Sequence, residues 1–236
     1  MAKEVPGKVL ALIPAFNEEK SVGKVIDEVR KHQRDYLDEI VVVDDSSTDK
    51  TKEIVQDKGV EVVSHVINIG VGGAVRTGYR YAIQEEFDYL VLLDADGQHD
   101  PKYIPKLFNK LIEDECDLVI GSRFLNESHK GYSYVRKAGI IFFTKMVSFL
   151  GGIDITDVTS GYRVYDVDAL KKLDRNKDDH WAIEQSLEAS RRNLKIEECS
   201  VEMPIREEGK SQFDLETFFW YPIRMIDVLL RVIIFR

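Results

Sequence analysis

Short apolar runs alternate with helix-type patterns through the first half of the chain, and this alternation constrains the fold more than any other feature. The runs VLALI (9–13) and YLVLL (89–93) have the length of strands that are buried on both faces of a sheet. The segment after the first run carries apolar residues at helical spacing, namely Val22, Val25, Ile26 and Val29. This order predicts an α/β fold in which helices cover both faces of a mainly parallel sheet.

The same patterns place the individual elements. We expect strands at 9–13, 39–43, 60–66, 89–93 and 117–120, and helices at 22–29, 49–56, 72–86 and 101–113. After residue 121 the pattern is less regular, with a helix expected at 181–192, a strand at 195–203, polar loops at 124–131 and 204–212, and a segment rich in small polar residues at 156–165.

The composition excludes several classes of protein. Hydrophobic residues make up 44% of the 236 residues, so the chain can bury a sizeable core, and its net charge of −9 argues against a nonspecific nucleic-acid binder. Cys116 and Cys199 lie far apart, form no CxxC pair and fit a reduced, cytoplasmic compartment. Pro14 interrupts the first apolar run, and no apolar stretch reaches about 18 residues, so neither a signal peptide nor a membrane-spanning helix is expected.

Polar clusters follow each of the first four predicted strands. They contain Asn17 and Glu18 after the first, Asp44 and Asp45 after the second, Gly70, Gly72 and Gly73 after the third, and Asp94 and Asp96 after the fourth. In open α/β sheets, ligands bind beyond the carboxyl ends of the strands. Any one cluster alone is compatible with a solvated turn, but four at one end of the sheet predict a binding site.

Asp94 and Asp96 suggest a metal site. They follow a buried strand and would point to the same side if that strand continued. Two carboxylate ligands with open positions suit Mg²⁺ or Mn²⁺ bridging the diphosphate of a substrate. The alternative is an ordinary pair of turn aspartates, because a DxD sequence is common by chance.

The other clusters favour nucleoside recognition. The Asp44–Asp45 pair can accept hydrogen bonds from ribose hydroxyls or a base edge, while Asn17 and Glu18 offer an amide and a carboxylate. The glycines of 70–73 permit close backbone approach to phosphate, with pure turn geometry as the alternative. Val75 stands where a GxGxxG dinucleotide motif requires glycine, and there is no Walker GxxxxGK[ST] segment.

Six ordered motifs together resemble family 2 inverting glycosyltransferases, and most closely the polyprenyl-phosphate (dolichyl-phosphate) mannose and glucose synthases. The motifs are PAFNE, VVDDSSTD, NIGVGGAVRTGY, LLDADGQHDP, GSRF and TSGYRVY. The resemblance implies a GT-A type nucleotide-binding domain over residues 1–211. It also implies metal-dependent, inverting transfer of a sugar from GDP-mannose or a UDP-hexose to a polyprenyl or dolichyl phosphate, with Mg²⁺ or Mn²⁺ as cofactor.

Carried over by position, the resemblance implies four groups of site residues. Nucleotide contacts fall on Pro14, Asn17, Glu18, Asp45, Gly70 and Asp94. Metal contacts fall on Asp94, Asp96 and Gln98, and catalytic roles on Asp96, Asp157 and Arg163. Contacts to the acceptor or its phosphate fall on Arg123, Arg206, Lys210 and Ser211. The chain departs from the pattern at Val71, where relatives often carry a basic residue. Many relatives continue into spanning helices, and we expect none within these 236 residues.

Three interpretations stay open at this point. Asp157 is a candidate general base or sugar ligand, or else a turn or helix-capping aspartate. Glu184 could reach the sugar, or be a surface charge on its helix. His65, His99, His129 and His180 show no metal-ligand spacing, so we expect them to be satisfied within the fold or exposed.

Two segments suggest contact with a membrane surface. In the C-terminal segment 212–236, Arg224, Asp227 and Arg231 form one polar stripe on an otherwise apolar helix pattern, which is typical of an interfacial helix. The run AGIIFFTKMVSFL (138–150) is a second candidate. The alternative is a core helix or an oligomer interface. The interfacial interpretation predicts a peripheral enzyme on the cytoplasmic face of a membrane.

Other functions compete with lipid glycosylation. The acceptor could instead be a hydroxyl of a soluble molecule or polysaccharide. A nucleotidyltransferase would also use a metal and a parallel sheet, but it usually has a Gly-rich loop and a basic residue after the first strand, where this chain has PAFNEE. A non-enzymatic membrane scaffold would have no reason to combine Asp45, Asp94 and Asp96 with Arg163 and Arg206.

Overall fold

The structure is a computed structural model that describes residues 6–32, 35–125, 134–173 and 181–203. Within these ranges, seven strands form one sheet in the order β3-β2-β1-β4-β6-β5-β7. The strands are β1 (Val9–Ala15), β2 (Glu39–Asp44), β3 (Glu61–Ser64), β4 (Tyr89–Leu92), β5 (Leu118–Ser122), β6 (Arg163–Asp166) and β7 (Ile196–Ser200).

Helices cover both faces of the sheet, as predicted. They are α1 (Val22–Arg30), α2 (Thr51–Asp57), α3 (Val71–Gln84), α4 (Ile104–Glu113), α5 (Tyr134–Gly151), α6 (Val167–Leu173) and α7 (Trp181–Arg191), and a 3₁₀ turn at Pro101–Tyr103 precedes α4. The helix predicted at 101–113 therefore begins with this turn, in which the Asp100 side chain accepts a hydrogen bond from the Lys102 amide.

The sheet is parallel except at β6. Strands β1, β2, β3 and β4 pair in parallel, as do β5 and β7, whereas β6 runs antiparallel to both β4 and β5. The sequence did not predict β6 or α6, because four residues beside a polar segment carry no strand periodicity. As a result, the carboxyl ends of β1, β2, β4 and β5 and the start of β6 all lie at one end of the sheet, which we call the carboxyl end.

Alternating residues of β1 supply the two halves of the core. Ala11 and Ile13 pack with α1 and α4 on one face, while Leu10 and Leu12 pack with α3 on the other. Helix α3 approaches β1 closely at Gly78, where an added Cβ would lie 2.2 Å from the methyl groups of Leu12. A glycine is therefore needed at this position to seat the helix that follows the third polar cluster.

Helix α5 contains the apolar run 138–150 and has two different faces. Phe143 and Val147 are buried against Ile183 and neighbouring residues, whereas the side chains of Phe142 and Phe149 are 62% and 86% exposed. None of the described helices combines the length and apolarity required to cross a bilayer. The predicted interfacial segment 212–236 lies outside the described residues, so it and the domain boundary at 211 stay predictions.

Candidate active site

The strand order reverses between β1 and β4, and the first predicted site residues lie at this point. From β1 the chain goes on to β2 and β3 on one side, and it returns to place β4 on the other. Pairing between β1 and β4 stops at Leu12 and Leu92, two residues before the buried Pro14, which stays opposite Val43 of β2. A crevice for ligands forms at such reversals in open α/β sheets.

Hydrogen bonds link the loops after β1 and β2. The side-chain oxygen of Asn17 accepts hydrogen bonds from the Thr48 amide at 2.8 Å and its hydroxyl at 3.2 Å, and the Glu18 amide donates to the Thr51 hydroxyl at 2.8 Å. Asn17 has a φ of 55°, a left-handed conformation that asparagine tolerates better than most residues. The predicted nucleoside contacts Asn17 and Glu18 thus belong to a cross-linked pair of loops.

Asp45 is buried and holds the loop before α3. Its oxygens accept hydrogen bonds from the amides of Ile69 at 3.0 Å and Gly70 at 2.8 Å, and one of them lies 2.6 Å from Nδ1 of His65. Gly70 has a φ of 83°, which favours glycine. Because the carboxylate faces donors of the protein, its direct effect is to fix the Gly70 loop, and the nucleoside contact of Asp45 stays a prediction.

Asp94 and Asp96 lie in the loop at the end of β4. The Asp94 side chain is 40% exposed, and an Asp96 oxygen accepts a hydrogen bond from the Gln98 amide at 2.9 Å. Gly161 lies beside Asp94, because an added Cβ would be in ordinary van der Waals contact with a carboxylate oxygen at 3.5 Å. No cluster of three or more His, Cys, Asp or Glu residues that could hold a metal occurs within the described ranges.

The oxygen ligands that Asp94, Asp96 and Gln98 can offer fit an Mg²⁺ or Mn²⁺ ion that also binds the substrate. Such ions are commonly held by one or two carboxylates and complete their coordination with water and substrate phosphate oxygens. Asp94 and Asp96 supply the carboxylates, and Gln98 supplies an amide in the same loop. The remaining ligands would come from water and a diphosphate.

The buried side chain of His99, which belongs to the same loop, packs against the start of that loop. Its Nδ1 accepts a hydrogen bond from the Asp94 amide at 2.9 Å, and its ring stacks on Tyr162 with 5.0 Å between the ring centroids. Burial lowers the pKa of His99 to about 4, although the nearby Asp96 carboxylate opposes this shift, so the ring is neutral at pH 7. The expectation that the histidines are satisfied within the fold or exposed holds for His99.

Asp157 and Arg123 form a buried, bidentate ion pair at the end of β5. The Nε of Arg123 lies 2.6 Å from Oδ2 of Asp157, and its Nη2 lies 2.6 Å from Oδ1. The Arg123 amide and the Thr159 hydroxyl also donate to this carboxylate, which is fully buried. The arrangement favours a role for Asp157 in positioning Arg123 over its predicted role as a general base.

Glu198 of β7 supports this ion pair and was not predicted from the sequence. Its Oε1 accepts a hydrogen bond from the Asp157 amide at 2.9 Å, and its Oε2 accepts from the amide and hydroxyl of Thr156 at 2.7 and 2.8 Å. Burial raises its pKa. The only signal in the sequence was an acidic residue in the middle of the predicted strand 195–203.

The structure does not bring the side chain of Arg163 to the exposed loops. It is fully buried at the start of β6, where its guanidinium donates to the carbonyl oxygens of Ser160, Val158 and Ala182 and to the side chains of Gln185 and Ser186. This placement supports a structural role for Arg163. Glu184 is also buried, so the interpretation as a surface charge is wrong.

Three other predicted acceptor residues, Arg206, Lys210 and Ser211, lie outside the described ranges. Of the predicted sites, the structure therefore collects Asn17, Glu18, Asp94, Asp96 and Arg123 at the carboxyl end of the sheet.

Comparison with known proteins identifies the family. A family model described as glycosyl transferase family 2 matches residues 11–174, which is more than half of the chain. The chain belongs to glycosyl transferase family 2. The resemblance predicted from the six motifs is thereby confirmed, and the nucleotidyltransferase and scaffold alternatives are set aside.

Relatives of this glycosyltransferase include enzymes that are named for lipid-phosphate acceptors. It is 34% identical over 183 residues to a UDP-N-acetylglucosamine–dolichyl-phosphate N-acetylglucosaminyltransferase of Methanococcus voltae, which covers 70% of this chain and 72% of the relative. It is 30% identical over 222 residues to an undecaprenyl-phosphate mannosyltransferase of Micrococcus luteus, with 87% of each chain covered.

A solved structure confirms the predicted GT-A fold. The glycosyltransferase matches glucosyl-3-phosphoglycerate synthase of Mycobacterium tuberculosis with a TM-score of 0.77 and 21% identity, over 96% of this chain and 80% of the synthase. That crystal structure contains Mn²⁺, UDP and glucosyl-3-phosphoglycerate.

Proposed function

We propose that this glycosyltransferase transfers a hexose, with inversion, from a nucleotide-sugar to a polyprenyl or dolichyl phosphate at a membrane surface. The observation that carries the proposal is the juxtaposition at the carboxyl end of the sheet. Asp94 and Asp96 follow β4 beside the strand-order reversal, and Arg123 follows β5 at the same end. Acidic and basic groups suited to a metal–diphosphate donor and an anionic acceptor thus lie at one end of the sheet.

The donor side consists of the cross-linked loops after β1 and β2 and the carboxylates after β4. A bound divalent cation would neutralise the charge that develops on the leaving nucleoside diphosphate. Asp94, Asp96 and Gln98 are the residues that would hold it, and the Mn²⁺ and UDP in the structural neighbour support this assignment. Asn17 and Glu18 would contact the nucleoside, and the Asp45-held loop would place the Gly70 backbone beside it.

On the acceptor side, a cationic group that attracts the lipid phosphate is more important than a general base. A lipid monophosphate already carries a negative nucleophilic oxygen, so removal of a proton contributes little. This fits an Asp157 that is paired with Arg123 and fully buried. Arg123 would attract the acceptor phosphate, and we predict that Arg206, Lys210 and Ser211 join it from the segment beyond residue 203.

A lipid acceptor also fits the exposed apolar face of α5. Ile141, Phe142, Phe149 and Leu150 are exposed on this helix. Apolar side chains on one face of a helix bind the boundary between headgroups and acyl chains. Together with the predicted interfacial segment 212–236, they would hold the enzyme on the membrane, at the cytoplasmic face, where a polyprenyl phosphate is accessible.

The reaction is tested with GDP-mannose, UDP-glucose and UDP-N-acetylglucosamine, each incubated with a short polyprenyl phosphate and Mg²⁺ or Mn²⁺. We expect one donor to give nucleoside diphosphate and a glycosyl phosphate lipid of inverted anomeric configuration, identified by mass spectrometry and NMR. Polyprenol without phosphate is the control acceptor. Equal transfer to polyprenol, or transfer only to soluble hydroxyl acceptors, would contradict the proposal.

Membrane contact is tested by flotation of the full chain with liposomes that contain anionic lipid. We expect the protein to float at low salt, and the double substitution of Phe142→Ser and Phe149→Ser to reduce flotation. Val66→Ser is the matched control, because Val66 is 95% exposed but lies in the loop after β3. Full-length protein that stays in the soluble fraction would favour a soluble acceptor.

A further inference from the structure

We call residues 94–100 the metal loop, because they follow β4 and contain the predicted metal ligands Asp94, Asp96 and Gln98. Within this loop, the ring of His99 contacts Asp94 at the point where the sheet ends. The amide of Leu93 still donates to a carbonyl of β1, that of Leu12, at 3.1 Å. The next amide, that of Asp94, donates instead to Nδ1 of His99 at 2.9 Å. His99 therefore takes the place of a strand partner for Asp94.

This hydrogen bond determines which nitrogen of the ring carries the proton. An Nδ1 that accepts a hydrogen bond is unprotonated, so the hydrogen of the neutral ring is on Nε2. Nε2 lies 3.6 Å from a carboxylate oxygen of Asp94. The two ring nitrogens thus face the backbone and the side chain of the same residue.

The ring itself is held in place by the segment before β6. It is buried and lies nearly parallel to the Tyr162 ring, at an angle of 15°. The Tyr162 hydroxyl donates to the Asp100 carbonyl at 3.0 Å, so the same tyrosine also holds the end of the metal loop. Gly161 lies at the edge of this packing, where an added Cβ would be in ordinary van der Waals contact with the His99 ring at 3.4 Å.

We propose that His99 is a positioning residue that orients Asp94 and thereby sets the affinity of the site for a divalent cation. The inference rests on the metal use in the proposed function. Partners that orient metal ligands commonly change metal affinity by about 10–100-fold when they are replaced. The Asp94 side chain is 40% exposed at the start of the loop, and both its amide and one carboxylate oxygen lie beside the buried His99 ring.

Two amide substitutions separate the hydrogen bond from the ring. Both His99→Asn and His99→Gln remove the stack on Tyr162. The side-chain oxygen of asparagine lies where Nδ1 lies in histidine and can still accept from the Asp94 amide, whereas that of glutamine lies one bond further out. The two variants therefore differ mainly in the position of the side-chain oxygen that could accept the hydrogen bond from the Asp94 amide.

The first measurement is made without metal. Hydrogen exchange of the Asp94 amide, followed by NMR on the full chain, should be slow in the wild type and in His99→Asn, and at least about tenfold faster in His99→Gln. The second measurement is Mn²⁺ binding in the presence of UDP, followed by electron paramagnetic resonance. We expect His99→Gln to bind Mn²⁺ at least about tenfold more weakly than the wild type, and His99→Asn to stay within about threefold.

The remaining outcomes either overturn the proposal or show that the proposed metal use fails. Equal Mn²⁺ affinity in both variants would overturn the proposal, and so would failure of both variants to fold, checked by circular dichroism, because His99 would then be structural only. If wild-type protein bound no Mn²⁺ with UDP, the proposed metal use would fail and the inference with it. The exchange data would still report whether His99 holds Asp94, so the two failures are distinguishable.

Discussion

The loop after β4, on the donor side of the site, and the acceptor side use charged residues in opposite ways. On the donor side, Asp94 and Asp96 lie in a loop and are partly exposed, so a ligand can reach them. On the acceptor side, Asp157, Arg163 and Glu198 are mostly or wholly buried, and protein groups contact them. Burial of a charge is costly unless it is paired, so buried charges in this half are expected to act first on the fold.

The comparison predicts that charge removal on the acceptor side unfolds the protein more than it changes the chemistry. Asp157→Ala would leave the buried guanidinium of Arg123 without its carboxylate, which typically costs about 3–5 kcal/mol. We expect a corresponding decrease in the free energy of unfolding, measured with urea. Asp154→Ala is the matched control, since Asp154 is exposed in the same segment. An Asp157→Ala protein of normal stability that had lost transfer would restore the general-base interpretation.

In the loop after β4, we expect charge removal to reduce the rate of transfer more than it reduces the stability of the fold. Asp96→Asn should reduce transfer by at least about 10²-fold, or about 2.7 kcal/mol, the scale of losing one electrostatic stabiliser of the transition state. The free energy of unfolding should change little, because the side chain is partly exposed. Donor-dependent release of nucleoside diphosphate measures the effect, with the exposed Asp57→Asn as control. Near-normal turnover at saturating Mn²⁺ would exclude Asp96 from the metal site.

The donor side was also the more predictable half. Its strands β1, β2 and β4 are continuous apolar runs whose carboxyl ends must meet in a parallel sheet, so Asp94 and Asp96 could be placed at the site from the sequence alone. Small differences remained at the boundaries: β3 is Glu61–Ser64 within the predicted 60–66, and α3 begins at Val71, one residue earlier than predicted.

The acceptor side could not be predicted in the same way, because its contacts join residues far apart in sequence. Asp157 pairs with a residue 34 positions earlier, and its amide donates to Glu198, 41 positions later. An arginine in a segment rich in small polar residues suggests exposure, yet Arg163 is buried because backbone carbonyls from two segments accept its hydrogen bonds. Only the tertiary structure supplies such acceptors.

Substitution of Glu198 should change the free energy of unfolding by an intermediate amount. Glu198→Ala would remove the acceptor of the amides of Thr156 and Asp157, and we expect a loss of about 2 kcal/mol in the free energy of unfolding. At temperatures where the variant is folded, the apparent KM for the lipid phosphate should rise more than that for the nucleotide-sugar, since Arg123 is displaced. Glu197→Ala is the control, because Glu197 instead faces Lys110. Equal effects of the two substitutions would contradict the positioning role of Glu198.

The smallest expected effect is on the donor side, at Asn17, where loop conformation and hydrogen bonding can be separated. Asn17→Ala loses the bonds from Thr48 and also places a Cβ-bearing residue without a compensating side chain at a φ of 55°. Asn17→Gly loses the same bonds but tolerates that φ. We therefore expect the free energy of unfolding to decrease by about 1.5 kcal/mol for alanine and about 0.5 kcal/mol for glycine.

Binding of UDP, measured by calorimetry, distinguishes loop geometry from direct contact at Asn17. If the residue acts only by linking the loops after β1 and β2, the glycine variant should bind UDP more tightly than the alanine variant, in the same order as their stabilities. If its side chain contacts the nucleoside, both variants should lose affinity equally, because neither has an amide group. Equal loss would assign Asn17 to the nucleotide site itself, and the donor side would then differ from the acceptor side in this residue as well.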